Sequence, residues 1–167
     1  GLCEGENAAF DCVGTIARIN LVTRKARAAG AAVIFIQHES TFGYLERGTT
    51  EWQLADGLEV HPSDIRVRKT TPDAFLKTDL EATLRSRGTS KLVVCGMHTE
   101  FCVDTTSRRA LALGYPVVLV ADGHTSAGNY AIGPQQVIDH HNATLTNISS
   151  FGPRVEAVLS RDIQFPV

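Results

Sequence analysis

The chain has 167 residues, 43% hydrophobic and 20% charged, a mixture that suits one folded domain over residues 1–167 and excludes intrinsic disorder. Sixteen Lys and Arg against eighteen Asp and Glu leave a net charge of -2 and a pI near 6.3, which argues against nucleic acid as a partner. No apolar run reaches the roughly 18 residues of a membrane span, so no membrane partner is expected. Four cysteines in a chain this long make no disulfide framework, which points to a reducing cytoplasm.

Asp11 to Ala29 reads as a helix, with Val13, Ile16, Ala17 and Leu21 on one face and Gly30 as its stop. Ala32 to Gln37 is a short β-branched run of the kind covered on both faces of a sheet. From His38 to about Asp64 the periodicity vanishes, and a loop this long in a compact domain is more often functional than idle. Ile65 to Arg68 is a short strand. Thr78 and Glu81 suggest a capping box for a helix over Asp79 to Arg87, closed by Gly88. Lys91 to Cys95 is a buried strand, and a helix comes next from about Phe101 to Leu113. Val117 to Ala121 is a strand, Pro134 opens a helix to about Leu145, and Val155 to Leu159 is a last strand or a helical turn. Alternating strands and helices imply an α/β fold with a parallel sheet and helices on both faces. Sites in such sheets lie beyond the carboxyl ends of the strands. The ends that matter are Gln37-His38, Arg68-Lys69, Gly96 to His98 and Asp122 to Thr125.

Two of these ends carry residues capable of covalent chemistry. Cys102 falls in the first turn of the helix after Lys91 to Cys95, where free N–H groups stabilise a thiolate and can hold a developing oxyanion. A lone cysteine is more usually a small buried apolar residue, and position alone leaves the two readings near even. Lys69 shares a strand face with Val67, so alternation points it inward, although most lysines are solvated. A cation near Cys102 favours the thiolate.

The run G-M-H-T-E-F-C-V-D-T-T from Gly96, continued by R-R-A-L-A-L-G-Y, resembles the nucleophile motif of the isochorismatase-like cysteine hydrolase superfamily. K-T-T-P-D-A-F from Lys69 is similar to its catalytic-lysine motif, K-x-x-x-x-A-F, and the likeness extends from Gly1 to about Leu145. The resemblance implies a Rossmann-like three-layer α/β/α sandwich and an Asp–Lys–Cys triad. It also implies a cis peptide before His98 and an oxyanion hole built from the His98 and Cys102 N–H groups. The superfamily opens with a central strand ending in D-x-Q-N, whose Asp is the acid. Here Gly1 to Gly5 is similar to the segment just after that strand, so the strand and its Asp are expected upstream of Gly1. Asp11 sits too far into the next helix to replace it.

The remaining candidates concern the pocket. His38, Trp52, Phe75, Met97, His124 and Thr125 are expected to line the substrate, with Trp52 and Phe75 equally readable as core. His38, Glu39 and His61 could suggest a metal, but the D-x-H signature of metal-binding relatives is absent, so no metal is expected. His140 and His141 point about 100° apart on a helix and do not make a metal pair. Cys3, Cys12 and Cys95 are expected to be packing residues. The expectation is a hydrolase of a small-molecule C–N bond acting through a Cys102 thioester, without an organic cofactor, in a homo-oligomer. Vinyl ether hydrolysis of the isochorismatase type is one alternative, and a non-catalytic thiol-redox protein using Cys102 is another.

Overall fold

A computed structural model describes residues 1–5 and 8–165. Helix α1 (Cys12–Ala28) starts under Asp11, whose carboxylate accepts the Gly14 N–H at 3.2 Å. It ends where Gly30, at φ +72°, lets the chain turn. Strands β1 (Ile34–His38) and β2 (Ile65–Lys69) pair in parallel, Ile34 opposite Ile65 and His38 opposite Lys69. After the short helix α2 (Leu80–Ser86) come β3 (Leu92–Met97), a π-helical turn (Thr99–Val103), α3 (Asp104–Ala112) and β4 (Val117–Thr125). Helix α4 (Pro134–Asn147) and β5 (Val155–Val158) complete the order.

All pairings are parallel, in two groups: β1 with β2, and β3, β4 and β5 side by side. One apolar cluster joins Val67, Phe75 and Leu84 to Val103, Leu111, Leu119 and Leu145 on the α2–α3–α4 side. A smaller cluster, Val22 with Val118, Val120 and Ile163, sits under α1 on the other face. The arrangement is the expected α/β layering. Burying a Leu or Val side chain in either cluster is worth about 1.5–3 kcal/mol.

The edges of β1 and β3 that face each other have no ladder among the described residues. The Val33 carbonyl accepts the Ile65 N–H and the Glu39 N–H donates to the Lys69 carbonyl, so odd-numbered residues of this strand point their backbone groups at β2. By alternation the N–H groups of Ile34, Ile36 and His38 point the other way. Leu92 donates to the Pro116 carbonyl on the β4 side, so Val93 and Cys95 turn theirs away from β4. Between these two edges runs a cavity of about 540 Å³, floored by Ile16 and Ile19 of α1 and bounded by Val33 to His38 and Val94 to His98.

Several local expectations are corrected. Val13 is 84% exposed, while the buried stripe of α1 is Cys12, Thr15, Ile19, Asn20, Val22, Thr23 and Ala26. Three polar residues lie on that stripe, and all find partners: Thr15 accepts from Arg18 Nη2 and Thr23 donates to the Asn20 carbonyl within the helix, while the Asn20 side chain bonds the Gly57 carbonyl and the Glu59 N–H of the long loop. The capping box at Thr78 does not form: the Thr78 hydroxyl donates to the Ala74 carbonyl and accepts the Leu80 N–H rather than that of Glu81, and the Glu81 side chain pairs with Arg85. Cys3 and Cys12 are not packing thiols but a disulfide with Cα atoms 5.6 Å apart, closing a loop of sequence separation 9.

Candidate active site

β3 ends at Met97, the Met97–His98 peptide is cis, and the chain enters the π-helical turn directly. Such turns are uncommon and recur at functional sites. The N–H groups of Phe101 and Val103 both donate to the His98 carbonyl at 3.2 Å, which closes the turn around that oxygen. Cys102 lies between them, a half-exposed free thiol, and its N–H makes no hydrogen bond outside its own turn among the described residues. Cys102 therefore sits one π-turn before α3 rather than in the first turn of a regular α-helix.

Lys69, the last residue of β2, is 4% exposed, and its Nζ donates to the Pro72 carbonyl at 2.8 Å. The same carbonyl accepts the Thr106 hydroxyl at 3.2 Å, and Thr106 in turn accepts the Ala74 N–H. The loop after β2 is thus pinned to α3, the helix just beyond Cys102. No carboxylate among the described residues lies within ion-pair distance of Lys69 Nζ. Asp11 is engaged elsewhere, 2.6 Å from Arg18, which holds its carboxyl below the usual carboxylate range.

Lys69, Cys102, His98, His38, Trp52 and Met97 all line the cavity between β1 and β3. Gln37, 3% exposed, donates to the Trp52 carbonyl at 2.7 Å and so ties the long loop to β1. The other polar ends, Gln37 Oε1 and Trp52 Nε1, are buried without a protein partner. His98 Nε2 is likewise buried and unpaired, and burial pushes the pKa of His98 down against the opposing pull of Glu100. Burial, reinforced by the charge of Lys69, also lowers that of His38.

Three expected lining residues lie elsewhere. Phe75 is in the core, stacked on Tyr115 with ring centroids 6.4 Å apart. The sequence puts His124 and Thr125 at a strand end, and they are the last two residues of β4, which runs past the expected Ala121. The register slips between Val94 opposite Leu119 and Gly96 opposite His124. This bulge carries Gly123, where a Cβ would lie 2.6 Å from Val120 Cγ1. His124 is 2% exposed and packs behind the π-turn, and Thr125 donates to the Phe10 carbonyl. Neither reaches the cavity.

Among the described residues no three His, Cys, Asp or Glu side chains gather as a cation site. His61 turns to Ser63, 2.8 Å away, on an exposed loop. Sequence reasoning missed Thr99, Glu100, Ser126 and Asn142, which hold the π-turn from behind. Only the fold brings them together, and no local spacing marks them.

The isochorismatase domain profile matches residues 1–159. The chain is 37% identical over 124 residues to a streptothricin hydrolase of Streptomyces noursei, covering 74% of this chain and 45% of that one. It is 30% identical over 179 residues to the ureidoacrylate amidohydrolase of Methylobacterium radiotolerans, covering 87% of this chain and 66% of the relative. The chain thus spans between about half and two thirds of the length of these relatives. Among solved structures, an isochorismatase family protein superposes with TM-score 0.85 at 30% identity, covering 94% of this chain and 92% of the other. The N-carbamoylsarcosine amidase of Thermoplasma acidophilum shares the fold, with TM-score 0.72 at 20% identity, covering 92% of this chain and 86% of that one. With its domain profile matched along almost its whole length, the chain belongs to the isochorismatase family.

Proposed function

We propose that this chain is the core of a cysteine hydrolase that cleaves a C–N bond of a small molecule. The observation that carries the reading is the convergence of Cys102 and the buried, carboxylate-free Lys69 on one cavity from two different strand ends. In the proposed reaction the Cys102 thiolate attacks the carbonyl carbon, and the His98 and Cys102 N–H groups receive the charge that develops on oxygen. The C–N bond breaks as an acid protonates the leaving nitrogen, which departs as ammonia or an amine. Water then attacks the thioester, releasing a carboxylic acid and regenerating the thiol. Nucleophile, oxyanion donors and cation all belong to the chain, so the chemistry asks for no organic cofactor.

The acid in this reading is an Asp carried by one further strand seated between β1 and β3. Both the unladdered edges and the ammonium of Lys69 support it, since a buried cation gains most from a carboxylate partner. The names of two relatives, a streptothricin hydrolase and a ureidoacrylate amidohydrolase, support hydrolysis, the second of an amide-type bond. A homo-oligomer working in the cytoplasm completes the proposal. In that setting Cys3 and Cys12, bridged in the structure, would be held as free thiols.

The test is a panel of small amides, ureas and lactams scored for release of ammonia or amine, with intact-mass trapping of the acyl-enzyme. Cys102→Ala is expected to keep the fold and lose at least about a thousandfold in turnover, in line with loss of a nucleophile. Wild-type turnover by Cys102→Ala overturns the covalent reading.

A further inference from the structure

Behind the π-turn lies a buried polar chain that the proposed reaction does not use. Thr99 opens the turn and is fully buried, and its Oγ1 is 2.8 Å from Nδ1 of His124 in β4. His124 Nε2 is 3.0 Å from Oδ1 of Asn142 in α4. The Asn142 amide nitrogen is 3.0 Å from the Ala121 carbonyl oxygen.

Chemistry fixes the direction of every bond in this chain. A carbonyl oxygen only accepts, so the NH₂ of Asn142 faces Ala121 and its oxygen faces His124. That oxygen also only accepts, so the proton of a neutral His124 sits on Nε2. Nδ1 is then a bare acceptor, and the Thr99 hydroxyl donates to it. Burial favours the neutral ring. The charged or titratable groups beside it are His141 of α4 and Asp122 of β4, and neither is its hydrogen-bond partner. The same end of β4 holds the next residue of the turn, because Ser126 donates to Glu100 at 2.7 Å. Residues 99 and 100 are thereby anchored to β4 while Phe101 and Cys102 face the cavity.

We propose that His124 is a positioning residue: Asn142 holds it as the Nε2–H tautomer, and it fixes the Thr99 hydroxyl and with it the turn that presents Cys102. This rests on the reading of Cys102 as nucleophile. A residue that merely filled the core would be replaceable by any apolar side chain of similar volume. A positioning residue acts through one hydrogen bond with a defined donor. The alignment of the Cys102 sulfur with the N–H groups of its turn depends on where Thr99 is held. An error of about 1 Å at such a position can cost on the order of a hundredfold.

The test reads Cys102 directly, by its rate of alkylation with iodoacetamide at pH 7 mapped by peptide mass. Burial pushes the Cys95 thiol up to about 11, so Cys95 stays silent under these conditions. Thr99→Val, nearly isosteric, is expected to slow Cys102 alkylation by about tenfold or more in a protein that still folds, its melting temperature lowered by no more than the loss of one buried hydrogen bond. Thr99→Ser, which restores the hydroxyl, is expected to return the rate to within about threefold of wild type. His124→Phe combined with Thr99→Val is expected to be no slower than the slower single variant, since both remove the Thr99–His124 bond, the one that reaches the turn. A wild-type alkylation rate in Thr99→Val overturns the proposal, as does a double variant whose two effects multiply. Acyl-enzyme trapping on the wild-type protein separates the two failures. An acyl-enzyme with an indifferent Thr99→Val sinks only the positioning role, whereas no acyl-enzyme on any substrate turned over sinks the nucleophile reading beneath it.

Discussion

Lys69 is 4% exposed, and among the described residues its ammonium has one hydrogen-bond partner, a backbone carbonyl, an arrangement that costs stability. A fold keeps such a group when it serves something else, and here it faces the cavity that Cys102 also lines. A cation that faces the same cavity as a thiolate attracts the charged sulfur. Lys69→Met, which keeps the length and removes the charge, is expected to slow Cys102 alkylation at pH 7 by about tenfold. A variant with unchanged alkylation would reduce Lys69 to a structural tie for Pro72. The placement of Cys102 and Lys69 was legible in the sequence, because Lys69 ends a strand and Cys102 closely follows one. The role of His124 was not: its partners are 25 positions back and 18 ahead, and only the slip at Gly96 and Gly123 turns its ring toward them.

At the scale of elements, the strands and helices were legible wherever apolar periodicity was clean, as in β3, β4 and α4. The face of α1 was not, because Thr15, Asn20 and Thr23 take buried positions that hydrophobicity assigns to Val13 and Leu21. The long loop hid its attachments for the same reason, since they are polar and non-local. The strongest joins α1 to the residue before β2: Arg27 contacts Asp64 through Nε at 3.0 Å and Nη2 at 2.6 Å, and the Asp64 side chain is only 2% exposed. The hydrogen bond from Arg27 holds the carboxyl of Asp64 below the usual carboxylate range, against desolvation, and the His61 N–H adds to it. A carboxyl depressed in this way contributes stability above its unfolded value near 3.9, and loses it as the pH falls through the lower folded value. Asp64→Asn is therefore expected to cost about 2–4 kcal/mol at pH 7. The difference in melting temperature between variant and wild type should shrink below about pH 4. A difference that stayed constant across that range would show that the pair is not the source of the loss.

For the molecule as a whole, the sheet carries the sharpest test, because its two parallel groups leave facing edges at β1 and β3. The α/β class and the parallel sense of the strands were readable from their alternation with helices. The break between the groups is a matter of strand order, which periodicity does not encode. Backbone N–H groups left unpaired in an apolar setting cost about 1–3 kcal/mol each, and Ile34, Ile36, His38, Val93 and Cys95 all turn theirs toward the cavity. Five such groups rival the roughly 5–15 kcal/mol of net stability that a domain possesses. A further strand between β1 and β3 would satisfy both edges at once and bring its end to the cavity rim near Lys69 and Cys102, where the proposed Asp belongs. Amide hydrogen exchange on the whole natural protein distinguishes the possibilities residue by residue. With the strand in place, Ile34, Ile36, His38, Val93 and Cys95 should exchange as slowly as Phe35, Gln37 and Val94, whose amides face β2 and β4. With the gap open, protection along β1 and β3 should alternate with a period of two, fast at these five positions and slow at their neighbours. An alternating pattern would remove the strand and, with it, the proposed source of the acid.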